Sequence, residues 1–165
     1  MTTLGTDPLT LIHLAISLIA IVSGLLAVAA LLKGRTPPIL TAVFLVLTVL
    51  TSATGFLFHN SHVTPGMILG AISLVALAVA LFALYGRHLN GVWRGAYVVT
   101  AILALFLNVF VLVLQSFIKI PALHALDPAI PPKGPLFGAV EGLVLIGFVA
   151  AGWVAMKAGR VAARS

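Results

Sequence analysis

Six polar side chains stand out in a chain that is otherwise almost entirely apolar: His13, His59, His62, Gln115, Lys119 and Glu141. Glu141 is the only carboxylate inside a long apolar run. An ionisable group in such a run works as a relay, a ligand counter-ion or half of a buried ion pair, and it needs a partner. Lys119 and His13 are the candidate partners. His13 and His59 fall near the same level of neighbouring helices, and two neutral imidazoles at one level are what a bis-His b-type haem requires. His59 and His62, with Glu141, could instead hold a divalent metal, zinc or copper, since imidazole suits both. The plainer readings stay open: a loop histidine in water, a histidine bonded across two helices, an ion pair that fixes helix register.

Asn108, Gln115 and Lys119 follow one another at spacings of seven and four, so they share one helical face. Polar groups are costly against lipid, and this face is expected to point into the bundle. Other chemistry has no residues to carry it. There is no Cys, hence no disulfide, thiolate zinc site, iron–sulfur cluster or covalently attached haem. There is no Gly-rich phosphate loop, no nucleophile elbow and no His-Glu-x-x-His. Ser17, Ser52 and Ser73 lack a base and acid pair and read as helix–helix hydrogen-bonding groups. No catalytic residue is assigned, and a non-enzymatic role is favoured.

The elements that must position these groups follow from composition. Of 165 residues, 62% are hydrophobic, nine are Lys or Arg and three are Asp or Glu. A soluble domain normally carries about a quarter charged residues, so a soluble enzyme is excluded. Disorder needs the opposite composition. The net charge of +6 comes from basic residues set between apolar runs, which is the pattern of membrane loops and not of a nucleic-acid-binding face. The expected surroundings are a lipid bilayer, with a small-molecule ligand or a membrane-protein partner and no nucleic acid.

A spanning helix needs roughly 20 apolar residues. Five stretches qualify, at about 9–32, 39–58, 67–85, 96–117 and 136–156. Turn chemistry separates them, and the longest break carries Pro121, Pro128, Pro131, Pro132 and Pro135, which one helix could not accommodate. No alternating strand pattern competes. The predicted fold is all-α, a single transmembrane bundle of five helices. No Lys or Arg precedes the first span and its apolar run exceeds that of a signal peptide, so it is expected to be retained.

Lys33, Arg35, Arg87, Arg94, Lys157, Arg160 and Arg164 fall on one side of such a bundle, against Lys119 and Lys133 on the other. Seven against two predicts an outer N-terminus and a cytoplasmic C-terminus. Four of the five His and all three acids then lie in the outer half. Tyr85, Trp93, Tyr97 and Trp153 lie at the inner ends and read as interface anchors. Gly66-x-x-x-Gly70 and Gly138-x-x-x-Gly142 read as helix-packing motifs.

The run from Asn108 to Leu123, Asn-Val-Phe-Val-Leu-Val-Leu-Gln-Ser-Phe-Ile-Lys-Ile-Pro-Ala-Leu, resembles a segment of uncharacterised small bacterial multi-pass inner-membrane proteins. Ile12-His13, Gly24-Leu25-Leu26-Ala27 and Lys33-Gly34 resemble a broader set of such proteins, some of them faintly similar to b-type cytochromes. Thr36-Pro37-Pro38 stands where that set has a further His. The resemblance implies a multi-pass protein of the bacterial inner membrane. The expected function is a polar pocket on the outer side, lined by His13, His59, Gln115, Lys119 and Glu141 and covered by the Pro-rich loop, that binds a small ligand or cofactor. The alternatives are a structural or accessory subunit of a membrane complex, and a b-type haem redox protein.

Overall fold

A computed structural model describes residues 8–58 and 64–162, with side chains through Gly159. All regular structure is helical: α1 (Pro8–Leu31), α2 (Pro38–Gly55), α3 (Pro65–Leu81), α4 (Val92–Lys119), the single turn α5 (Pro121–His124) and α6 (Pro135–Ala162). Five helices are long and apolar enough to cross a membrane, and they correspond to the five apolar stretches of the sequence.

Every helix except α4 begins at a proline: Pro8, Pro38, Pro65, Pro121 and Pro135. Proline suits that position because its missing N–H is one that no helix could use, and its fixed φ is already helical. Before α3, Thr64 caps the first turn by accepting a hydrogen bond from the Met67 N–H at 3.3 Å. The end of α1 is set by Gly34, at φ 72. Its N–H reaches the Leu31 carbonyl and the Arg35 N–H reaches that of Ala30. This paired closure needs a left-handed residue, which glycine supplies without strain.

Two elements differ from the sequence reading. The third apolar stretch does not finish as an α-helix but widens into a π-helical turn, Phe82–Gly86, with the Arg87 N–H bonded to the Phe82 carbonyl at 2.9 Å. His88 and Leu89 then take positive φ and turn the chain into α4. The proline-rich break also contains α5, one helical turn. Beyond it the buried Asp127 carboxylate accepts a hydrogen bond from the Gly134 N–H, closing the loop on itself.

The helices run up and down, with α1 on α2, α2 on α3, α3 on α4, and α4 on α6. We call the end that holds the α4–α6 connection the loop end. The opposite end, with Lys33, Arg35, Arg87, Arg94 and Lys157, is the basic end. The core sits where α1, α2, α3 and α4 meet, with Phe44, Leu45, Leu77, Val98 and Leu105 almost fully buried. Gly24 marks the closest approach of α1 to its neighbours: a Cβ there would lie 2.6 Å from Leu105 and 2.8 Å from Phe44. Membrane helices associate through such close packing, because lipid supplies no hydrophobic drive. Ser52 donates to the Ser73 hydroxyl at 3.1 Å and ties α2 to α3. Tyr97 belongs to this core, at 1% exposure, and is not an interface anchor. It shares a helix face with Ala101, Ala104 and Leu105, a signal already present in the spacing.

Helix α6 is the peripheral member. Among the described residues it touches only α4 and α1, and only a narrow stripe of it is covered.

Candidate functional site at the loop end

The stripe by which α6 meets α4 fixes the level of each polar group. Phe148 packs on Phe106 with ring centroids 5.8 Å apart, and Phe137 lies between Phe110 and Phe117. Glu141 is on the same stripe, one turn from Phe137, so its side chain is directed between the helices. It is 8% exposed, and neither carboxylate oxygen has a hydrogen-bond partner. A buried polar group left unpaired is uncommon and calls for a reason.

Helical rise, counted from the Phe106–Phe148 contact toward the loop end, places Asn108 about 3 Å up, Glu141 about 10 Å, Gln115 about 13 Å and Lys119 about 19 Å. Gly24 stands level with Leu105, which puts His13 of α1 at about 15 Å on the same scale. His13, Gln115 and Glu141 therefore occupy one band of the α1, α4 and α6 trio, with Lys119 above it. Asn108 lies below the band, and its buried amide nitrogen is likewise unpartnered.

His13 is held in place. Its Nδ1 lies 2.8 Å from the Thr54 hydroxyl, and its ring meets Phe58 edge-on with centroids 5.2 Å apart. The Thr54 hydroxyl lies 2.7 Å from the Leu50 carbonyl, one turn back on α2. Its proton goes to that carbonyl, so Nδ1 donates to Thr54 and Nε2 carries the free lone pair. Lys119 is the last residue of α4.

Two expectations are corrected. Glu141 and Lys119 do not pair: no partner reaches the carboxylate, and the two residues are separated by about 9 Å of helix rise. The face shared by Asn108, Gln115 and Lys119 does not point wholly inward. Asn108 is half-buried, whereas Gln115 and Lys119 are exposed although Phe117 between them is buried against Phe137, because their face of α4 is turned away from the one that meets α6. His59 and His62 lie outside the described residues. Among the described residues no three His, Asp or Glu side chains gather to hold a metal ion. His124, in α5, has a buried Nδ1 without a partner.

One residue of consequence was read only as a topology determinant. Arg94, at the basic end of α4, lies across Gly159 of α6, and its Nε and one terminal nitrogen are buried without a hydrogen-bond partner. The sequence signal was a glycine one turn beyond Met156, which leaves room for a side chain from the facing helix.

The fold and these sites describe a helical bundle of the multi-pass membrane type. Comparison with protein-family models, curated proteins and solved structures finds no match for this chain.

Proposed function

We propose that this is a multi-pass protein of a bacterial inner membrane, N-terminus outside, whose loop end binds a small ligand from the outer side. The observation that carries the reading is Glu141, a carboxylate inside a membrane-spanning helix, buried and without a protein partner. A charged or polar group there is costly unless something pairs with it. The ligand would donate a hydrogen bond to Glu141 and to the free Nε2 of His13, and accept one from Gln115 or Lys119. The loop closed by Asp127 would cover it. The resemblance of the Asn108–Leu123 segment to small inner-membrane proteins supports the same location.

The test is purification in native lipid, followed by an absorption spectrum and mass analysis of co-purifying small molecules, for the wild type and for Glu141→Gln. A stoichiometric molecule present in the first and depleted in the second supports the site. A haem absorption band lost in His13→Ala would make that molecule a b-type haem. Wild-type protein free of any bound small molecule would overturn the reading.

A structural or accessory subunit is the second reading, favoured by the outward side of α6. Gly138, Gly142 and Gly147 have open space where a Cβ would be, beside the exposed Leu143 and Ile146. Cross-linking from Gly142→Cys to another protein in the native membrane would support it.

A further inference from the structure

From the Phe106–Phe148 contact toward the basic end, an open cleft of about 330 Å³ runs beside the α4–α6 contact. Its walls are Val99, Ile102, Leu103 and Phe106 on α4, and residues from Leu145 to Met156 on α6. No charged or hydrogen-bonding side chain lines it apart from the indole of Trp153, so water has nothing to hold it there. The cleft runs lengthwise along the helices and opens sideways, toward the hydrocarbon layer of a membrane.

Two cations stand beyond its basic end, outside its lining. Trp153 closes the α6 wall, and Lys157, one turn further on, holds its ammonium 3.5 Å from the centre of that indole ring. The ammonium is thus fixed at the rim while its N–H donors stay free for a further acceptor. Arg94 lies over Gly159, one turn beyond Met156, with Nε and one terminal nitrogen buried and unpaired. Among the described residues no Asp or Glu is on hand to answer either charge: Asp127 and Glu141 both lie toward the loop end. A buried guanidinium without an anion leaves strong, directed donors unused.

We infer that this cleft is a binding site for one anionic phospholipid, with an acyl chain along the α4–α6 walls and the phosphate held by Arg94 and Lys157. The apolar walls fit a hydrocarbon chain, and the two cations beyond their basic end fit a negatively charged headgroup. Basic pockets between spanning helices bind anionic headgroups in this way. A zwitterionic lipid fills the cleft equally well but gains less at the rim, so selectivity for the anionic headgroup is the signature of the site. Gly159 is what allows the arrangement, since any side chain there would collide with the Arg94 guanidinium.

The experiment uses the full-length protein in nanodiscs of phosphatidylcholine with one-tenth phosphatidylglycerol, and counts retained lipids by native mass spectrometry after mild release. The expected result is one phosphatidylglycerol per chain, enriched over phosphatidylcholine. Retention should fall about thirtyfold in the Arg94→Gln, Lys157→Gln double variant, as expected for two basic groups near a membrane surface. Gly152→Phe, which fills the cleft and leaves both cations, should lose the lipid as well. Inorganic phosphate at millimolar concentration should not displace it; displacement would mean that the rim binds a free anion and the cleft contributes nothing. Equal retention of the two lipids by the wild type would overturn the site. So would unchanged phosphatidylglycerol retention in the double variant with its helical content intact, or a dimer whose interface occupies the cleft. None of these outcomes depends on the loop-end ligand, whose loss in Glu141→Gln is read separately.

Discussion

His13 donates from Nδ1 to the hydroxyl of Thr54, at 2.8 Å, and that single contact decides which face of the imidazole is left for chemistry. The Thr54 hydroxyl is itself bonded back to Leu50, so the contact joins α1 to α2 and fixes the ring tautomer at once. Thr54→Val keeps the shape and removes the acceptor. We predict a stability loss of about 1 kcal/mol in a denaturant titration, the ordinary net worth of one such bond. Nitrogen NMR of labelled histidine should show His13 Nε2 unprotonated in the wild type. Finding the proton on Nε2 would refute the assignment.

Glu141 separates a functional group from a structural one. If the carboxylate only held the bundle together, removing it would destabilise the protein. With no partner in the fold, it is predicted to oppose stability, because burying an unpaired polar group costs free energy. Glu141→Leu should therefore melt at or above the wild-type temperature while losing the loop-end ligand. A clear drop in melting temperature would show that the side chain has a structural partner.

Gly24 should tolerate no side chain. Leu105 and Phe44 occupy the space a methyl group would need. Gly24→Ala is predicted to cost about 1–3 kcal/mol, the usual range for overpacking a core. Gly138→Ala, on the open side of α6, should be close to neutral in the same assay.

The loop clasp can be opened on its own. Asp127→Ala removes the acceptor for the Gly134 N–H, and Gly134→Ala would press a Cβ to within 2.9 Å of the same carboxylate. Both are predicted to speed proteolysis between α5 and α6 by several-fold and to leave the helical content unchanged. Equal cleavage rates would show that Asp127 does not hold the loop.

Orientation is testable directly. The Lys and Arg bias predicts that a Ser165→Cys variant is shielded from an impermeant thiol reagent in intact cells and labelled after lysis. Labelling before lysis would reverse the assignment of outer and inner ends.

The spans were legible because uninterrupted apolar length and proline punctuation each carry their own physical signal. The site was legible only in part. Spacing places Asn108, Gln115 and Lys119 on one face but does not say which neighbour that face meets, and α6 packs on the opposite one, through Phe110 and Phe117, while Gln115 and Lys119 stay exposed. Lys119 was a candidate partner for Glu141, yet one sits well inside its helix and the other at a helix end. Arg94 was hidden for a different reason: a cation near a helix end satisfies the charge rule for topology, and its burial over Gly159 depends on a contact between residues far apart in sequence.

The peripheral place of α6 has a meaning for biogenesis. Among the described residues its contacts are with α4 and α1 alone, both made earlier in the chain, while every contact among α1, α2, α3 and α4 is complete without it. Helix α6 is also the last of the helices to be synthesised, so the four-helix unit can assemble before α6 docks. Helix α6 then closes over a prepared wall, and the Glu141 carboxylate and the lipid cleft come into existence only with that last docking step.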